Sequence, residues 1–230
     1  MSKVIETNCL ACQKRSDIFN CLNEEEIRRI DCERVSIAYN PGEIIFKQGT
    51  PCHNFVCITS GLVKIYLEHE NSHNVILGLV RPVTYLFVPG AFTDQRHHYT
   101  AVACEDTTAC LIDINVMRRL MRGNSEFANE FINKISGQVI ELFDKLSCYT
   151  QKHVFGRIAD MLLYLQSRVY KETPFELTIS RQDLADLSGM TKESAIRVLK
   201  KFKEDGIITL NGNRLEILNH SKLEAISKNG

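Results

Sequence analysis

The sequence contains no tryptophan, only five prolines in 230 residues, and no net charge, with 28 Lys and Arg against 28 Asp and Glu. No apolar run reaches the roughly 20 residues that a membrane-spanning helix requires. The opening MSKVIETN is too polar for a secretion signal, so a globular protein of the cytoplasm, with no membrane partner, is expected. Nine cysteines, unevenly spread and without that signal, fit free thiols in a reducing compartment better than a disulfide framework. A hydrophobic content of 44% supplies ordinary cores for two modest domains. Zero net charge argues at first against a nucleic-acid partner. The charge is not evenly placed, however: residues 151–230 hold 13 Lys and Arg against 10 Asp and Glu, leaving 15 and 18 for residues 1–150. The small positive excess lies in the C-terminal part.

That part carries the clearest local pattern. In TKESAIRVLKKFKEDGII, Ala195, Val198, Leu199 and Phe202 share one stripe of a helix, with Glu193, Arg197 and Lys200 opposite. Thr191 is placed to cap its start and Gly206 to stop it. Upstream, SRQDLADLSGM reads as a shorter helix, opened by Ser180 with Asp183 and closed at Gly189. Two helices joined by a glycine turn form a helix-turn-helix, and IITLNGNRLEIL supplies a following hairpin around Asn211-Gly212-Asn213. The predicted unit is a winged helix.

Arg197 presents a planar fork suited to guanine O6 and N7, and Glu193 can accept from the cytosine amino group. The alternative is a solvated face on which the two form an ordinary i,i+4 pair. Ile196 either touches a thymine methyl or packs at the helix flank. Candidate DNA contacts are Ser180, Arg181 and Gln182 on the first helix and Thr191, Lys192, Glu193, Ile196, Arg197 and Lys200 on the second.

Residues 34–114 read as eight short strands, RVSIAY, EIIFKQ, NFVCITSG, LVKIYLEH, NVILGLV, YLFV, YTAVACED and TACLIDI, broken by Pro-Gly and Ser-Gly turns. Such spacing predicts a closed antiparallel roll, with helical segments at 23–31 and 115–121. From 125 to 150 the pattern is helical. Ala128, Ile132, Ile135, Val139, Leu142, Leu146 and Tyr149 step alternately by four and three, the seam of a coiled coil. Ile132, Ile135, Val139, Leu142 and Leu146 are its candidate dimerisation residues, and a second copy of the chain is the expected partner. The expected organisation is α+β: a β-roll over 1–122, a dimerisation helix over 123–150 and a winged helix over 151–230.

In this order, the chain resembles the CRP/FNR family of bacterial transcription regulators, most specifically through PGEIIFKQGT, FVCITSGLVKIY and SRQDLADLSGMTKESAIRVLKKFKEDGII. The resemblance implies a homodimer that reads a palindromic DNA site, with Glu193 and Arg197 on a TGA-type half-site core. It also implies an effector-controlled shift of the long helices and contact with RNA polymerase. Lys192 falls where the cyclic-AMP receptor has another base-contacting Arg, and Ile196 replaces the Ser or Gly of well-known members.

The effector stretch implied by the resemblance is PGAFTDQRHHYTA, with Gly90, Ala91, Phe92 and Arg96 as pocket candidates. Ala91 replaces a ribose-binding Glu and Arg96 is followed by His, which counts against cyclic AMP. The FNR branch implies an iron–sulfur cluster, for which Cys9, Cys12, Cys21 and Cys110 are candidates. The gap from Cys12 to Cys21 is longer than in that branch, and scattered thiols, zinc binding or thiol oxidation would draw on the same residues. His97 and His98 are expected at the surface or in a loop, since adjacent strand residues point to opposite faces.

A metal enzyme of the cupin type, the competing class, needs two His one residue apart in the roll followed by a carboxylate. The roll has no His-x-His, and the chain has neither a P-loop nor a nucleophile elbow. No catalytic function is expected.

Overall fold

The computed structural model describes residues 3–4, 9–10, 12, 15–69, 74–86 and 89–230. Its N-terminal elements are β1 (Lys3–Val4), α1 (Glu24–Cys32), β2 (Arg34–Tyr39), β3 (Ile44–Phe46), β4 (Asn54–Ser60), β5 (Val63–Leu67), β6 (Val75–Val80), β7 (Thr84–Leu86), β8 (Thr100–Ala103), β9 (Thr107–Asp113), α2 (Ile114–Gly123) and α3 (Ser125–Gln151). The eight expected strands are β2 to β9. Residues 87 and 88, the end of the sixth expected strand, lie outside the described residues.

One sheet runs β1-β2-β9-β4-β7 and another β3-β8-β5-β6. The centre of the first is the antiparallel β4/β9 pair, in register from Asn54 opposite Asp113 to Cys57 opposite Cys110. In β4 four successive residues, Phe55 to Ile58, are buried, so both faces of that strand are covered. Alternation therefore fails there, as expected for a strand with protein on each side.

Helix α1 begins at a capping box: the Asn23 Oδ1 accepts from the Glu26 amide at 3.0 Å and the Glu26 carboxylate accepts from the Asn23 amide at 2.9 Å. Such a cap contributes about 1 kcal/mol. Ile27 and Ile30 of α1 pack with Phe55, Tyr85, Ile112, Met117 and Leu120. The first turns of α3 complete this core. Phe127 stacks near Phe19 at 6.0 Å, and Phe131 stands 5.8 Å from Phe55 and 5.9 Å from Tyr85. Burying each of these Phe side chains contributes about 1.5–3 kcal/mol.

The C-terminal elements are α4 (Val154–Tyr164), β10 (Phe175–Glu176), α5 (Arg181–Leu187), α6 (Lys192–Glu204), β11 (Ile208–Asn211), β12 (Arg214–Ile217) and α7 (His220–Asn229), with a sheet ordered β10-β12-β11. The expected helix-turn-helix and hairpin are present. Gly189 in the turn has φ +62°, and a Cβ there would lie 3.2 Å from the Tyr149 ring. Both the backbone and the close approach call for glycine. Helices α4 and α7, absent from the sequence expectations, pack together and bury Ile158, Leu162 and Leu223.

The described residues fall into two compact units, one of those up to Glu68 with Leu79–Glu141 and the other of His69–Gly78 with Leu142–Gly230. Among the described residues no helix is long and apolar enough to cross a membrane.

Candidate functional site

Helix α6 buries Ala195, Val198, Leu199 and Phe202, the stripe expected from its period. Its N-cap is Thr191, whose Oγ1 accepts from the Ser194 amide at 3.3 Å. Lys192, Glu193, Ile196, Arg197 and Lys200 are all exposed on the opposite side. Among the described residues neither Glu193 nor Arg197 has an intramolecular ion pair or side-chain hydrogen bond. The ordinary i,i+4 pair is not formed, and both side chains remain uncommitted. Lys200 instead stands 3.8 Å from Glu204.

The first helix contributes differently from expectation. Ser180 is the N-cap of α5, its Oγ accepting from the Asp183 amide at 3.1 Å. Arg181 donates to the Gly212 carbonyl at the hairpin tip, and Gln182 donates to Asp186 at 2.7 Å. Arg181 thus ties the wing to α5 rather than presenting a free fork.

On α3, Ile132, Leu142 and Leu146 are exposed, whereas Ile135 and Val139 are half-buried and Ile135 packs against the roll core. The seam also extends to residues that the four-three stepping passed over: Phe143 is 64% and Ile140 59% exposed. Phe143 lies four residues after Val139 and three before Leu146, so a parallel four-three track reveals it. Tyr149 leaves the seam, its hydroxyl donating to the Leu187 carbonyl at 2.9 Å.

The expected effector residues lie in one tight turn whose polar groups are engaged by the protein itself. Gly90 is buried in a turn where an added Cβ would stand 1.8 Å from the Arg96 carbonyl oxygen. The Ala91 carbonyl accepts from Arg118 at 2.6 Å, and the Phe92 ring sits edge-on to Phe131 at 5.5 Å. Arg96 is exposed and its guanidinium donates to the Gly49 carbonyl at 2.8 Å. His98 is exposed beside Asp94 at 3.1 Å, as expected. His97 is not: it is buried and stacked on Phe46 at 3.9 Å, and burial pushes its imidazole down to about 4.

Cys9, Cys12 and Cys110 line one cavity of about 30 Å³ together with Cys57, Arg15 and Arg34. Cys21 is not part of it; its Sγ donates to the Ile18 carbonyl at 3.2 Å. Burial pushes the Cys9 thiol up to about 12 despite the opposing Arg34, whose guanidinium is held by Asp31 at 2.7 Å. A cluster needs four converging thiolates. Among the described residues no three His, Cys, Asp or Glu side chains are placed to hold one ion. The four candidate cysteines therefore do not come together as one cluster-binding set among the described residues, because Cys21 belongs to a separate contact.

Known proteins place both units. The model of the cyclic nucleotide-binding domain matches residues 36–124, and that of the Crp-like helix-turn-helix domain matches residues 156–226. Electron transport regulator A of Shewanella oneidensis is 26% identical over 214 residues, covering 90% of this chain and 85% of that protein. The fumarate and nitrate reduction regulatory protein of Vibrio cholerae is 26% identical over 208 residues, 88% of this chain and 82% of its own. The structure of FixK2 from Bradyrhizobium japonicum matches with a TM-score of 0.77 at 21% identity, over 84% of this chain and 96% of that one. A roll under one model, a reading helix under the other, and relatives along nearly the whole length have one common explanation: the chain belongs to the CRP/FNR family of DNA-binding transcription regulators.

Proposed function

We propose that the protein works as a homodimer in the cytoplasm, reading a palindromic DNA site with Glu193 and Arg197 of each α6 under the control of an effector in the roll. The observation that carries this reading is the exposed Glu193 and Arg197 pair, one turn apart on α6 and without side-chain partners among the described residues. Arg197 would fork onto guanine and Glu193 would accept from cytosine, with Lys192 and Lys200 facing phosphates and Ile196 a thymine methyl. Ser180 and Thr191 would present the helix starts to the backbone.

Dimerisation is supported by the apolar strip of Ile132, Ile140, Leu142, Phe143 and Leu146, since exposed strips of this size are rare on a monomer. Pairing two copies along α3 would set two reading helices about one turn of DNA apart. Effector binding would bias the packing of α3, and contact with RNA polymerase would convert DNA occupancy into regulation. Selection of bound sequences from a random duplex pool tests the reading. A two-fold symmetric consensus is expected, and recovery of unrelated sequences would overturn it.

One observation favours a second reading, thiol redox sensing: the candidates Cys9, Cys12 and Cys110 line one cavity. Treatment with diamide, which takes two electrons and two protons from a thiol pair, followed by mapping of the linked cysteines, decides it. A bond among these three that changes DNA affinity supports it; unchanged affinity removes it.

A further inference from the structure

We propose that a cavity of about 140 Å³ between β7 and α3, lined by Asp17, Val83, Tyr85, Lys134 and Gln138, binds a small zwitterionic α-amino acid. It lies within the roll unit, shares no residue with the Gly90 to Arg96 stretch, and has only Ser16 in common with the thiol cavity. Two of its groups are polar, buried and without a partner among the described residues: the Tyr85 hydroxyl, on a residue only 3% exposed, and the Gln138 Oε1. Buried polar atoms are nearly always hydrogen-bonded, and two orphans on one cavity indicate that their partner is something that enters it.

The chemistry of the lining defines the occupant. The Tyr85 phenol has a proton to donate, held there by burial and by the nearby Asp17 charge, both of which push its ionisation up. The Gln138 carbonyl needs a donor. Beside them Lys134 and Asp17 form a 2.5 Å ion pair, with 42% and 57% of each side chain exposed, so one cation and one anion are available at the mouth. A simple carboxylate would meet Asp17, and a simple amine would meet Lys134. A zwitterion satisfies all four, its carboxylate toward Lys134 and Tyr85 and its ammonium toward Asp17 and Gln138. At about 30 Å³ per water the space equals four or five waters, the size of glycine, alanine or serine.

Val83 leads into this site at φ +68°, a left-handed conformation that a β-branched residue rarely adopts, held by its amide donating to the Ile58 carbonyl at 3.0 Å. Strained residues of this kind gather at ligand clamps. Lys134 and Gln138 lie on α3 itself, so an occupant would bridge strand and helix. Its role as effector rests on the allosteric reading above; its binding does not.

Calorimetry on the full-length protein with glycine, L-alanine and L-serine tests the assignment, with N-acetylglycine and glycinamide as capped controls. Saturable binding of at least one amino acid is expected, and about tenfold weaker binding of the capped forms. Tyr85→Phe and Gln138→Leu should each weaken binding about tenfold while the ligand-free melting temperature stays level or rises, because each deleted group had no partner. No heat from any of the three at about 10 mM, equal binding of capped forms, or unchanged binding in both variants would overturn the assignment. DNA affinity measured in the same samples separates the readings: binding that leaves it unchanged supports the cavity assignment and removes the effector role.

Discussion

Cys57 on β4 and Cys110 on β9 stand directly opposite each other in an antiparallel pair, one fully covered and the other half-buried beside Ser36 at 3.1 Å. Burial pushes the Cys57 thiol well up, so it stays protonated and unreactive near neutral pH. Iodoacetamide should label the exposed Cys32 early and reach Cys57 only on unfolding. Mass spectrometry of a time course checks this, and equal labelling rates would contradict the burial.

Arg197→Ala is expected to cost about 1 to 3 kcal/mol at the cognate site and to relax preference at one base pair. Binding to random duplex should change much less. Equal losses on both would mean that Arg197 only grips phosphate. Fluorescence anisotropy at fixed salt reads both.

Phe143→Asp places a carboxylate in the middle of the exposed α3 strip. The side chain makes no core contact in the single chain, so the fold should persist by circular dichroism while sedimentation velocity shows loss of the dimer. A variant that remains dimeric would mean that α3 is not the interface.

His97 links stability to pH. Its imidazole takes a proton near 6.5 when unfolded and only at about 4 when folded. Between these values the unfolded chain binds more protons, so stability is full above 6.5 and falls as pH drops toward 4. The shift corresponds to about 3 kcal/mol at most. His97→Gln should flatten this part of the urea-denaturation profile; an unchanged slope would place the effect on other groups.

Gly90→Ala would drive a methyl into the Arg96 carbonyl, an overlap that backbone must relieve. A loss of about 2 to 4 kcal/mol is expected, read as a lowered denaturation midpoint. A neutral outcome would show that the Gly90 to Arg96 turn yields easily.

Periodicity made most of the architecture readable. Strands β2 to β9 alternate or run apolar between turn residues, and α6 keeps four buried positions on one stripe, so burial follows directly from residue spacing. What stayed hidden has specific physical causes. The tie from Arg181 to the hairpin tip is not visible in the sequence, because spacing does not tell which cation a carbonyl 31 residues away will hold. Alternation sets His97 and His98 on opposite faces without saying which is covered, and the Phe46 ring stacked on His97 decides it. Tyr149 fitted the seam until its hydroxyl found Leu187. Cys57 sat inside a buried strand run and acquires meaning only through the register that sets it opposite Cys110. Helices α4 and α7 cover one another, and neither has a neighbour in sequence that gives away its partner.

The grip of Tyr149 on the end of α5 fixes the final turn of α3 to the DNA head by a side chain as well as by the chain itself. With its ring filling the space left by Gly189, that tyrosine acts like a key in a lock. A rotation of that last turn would therefore act on the α5–α6 turn directly, through the hydroxyl and the ring as well as through the chain.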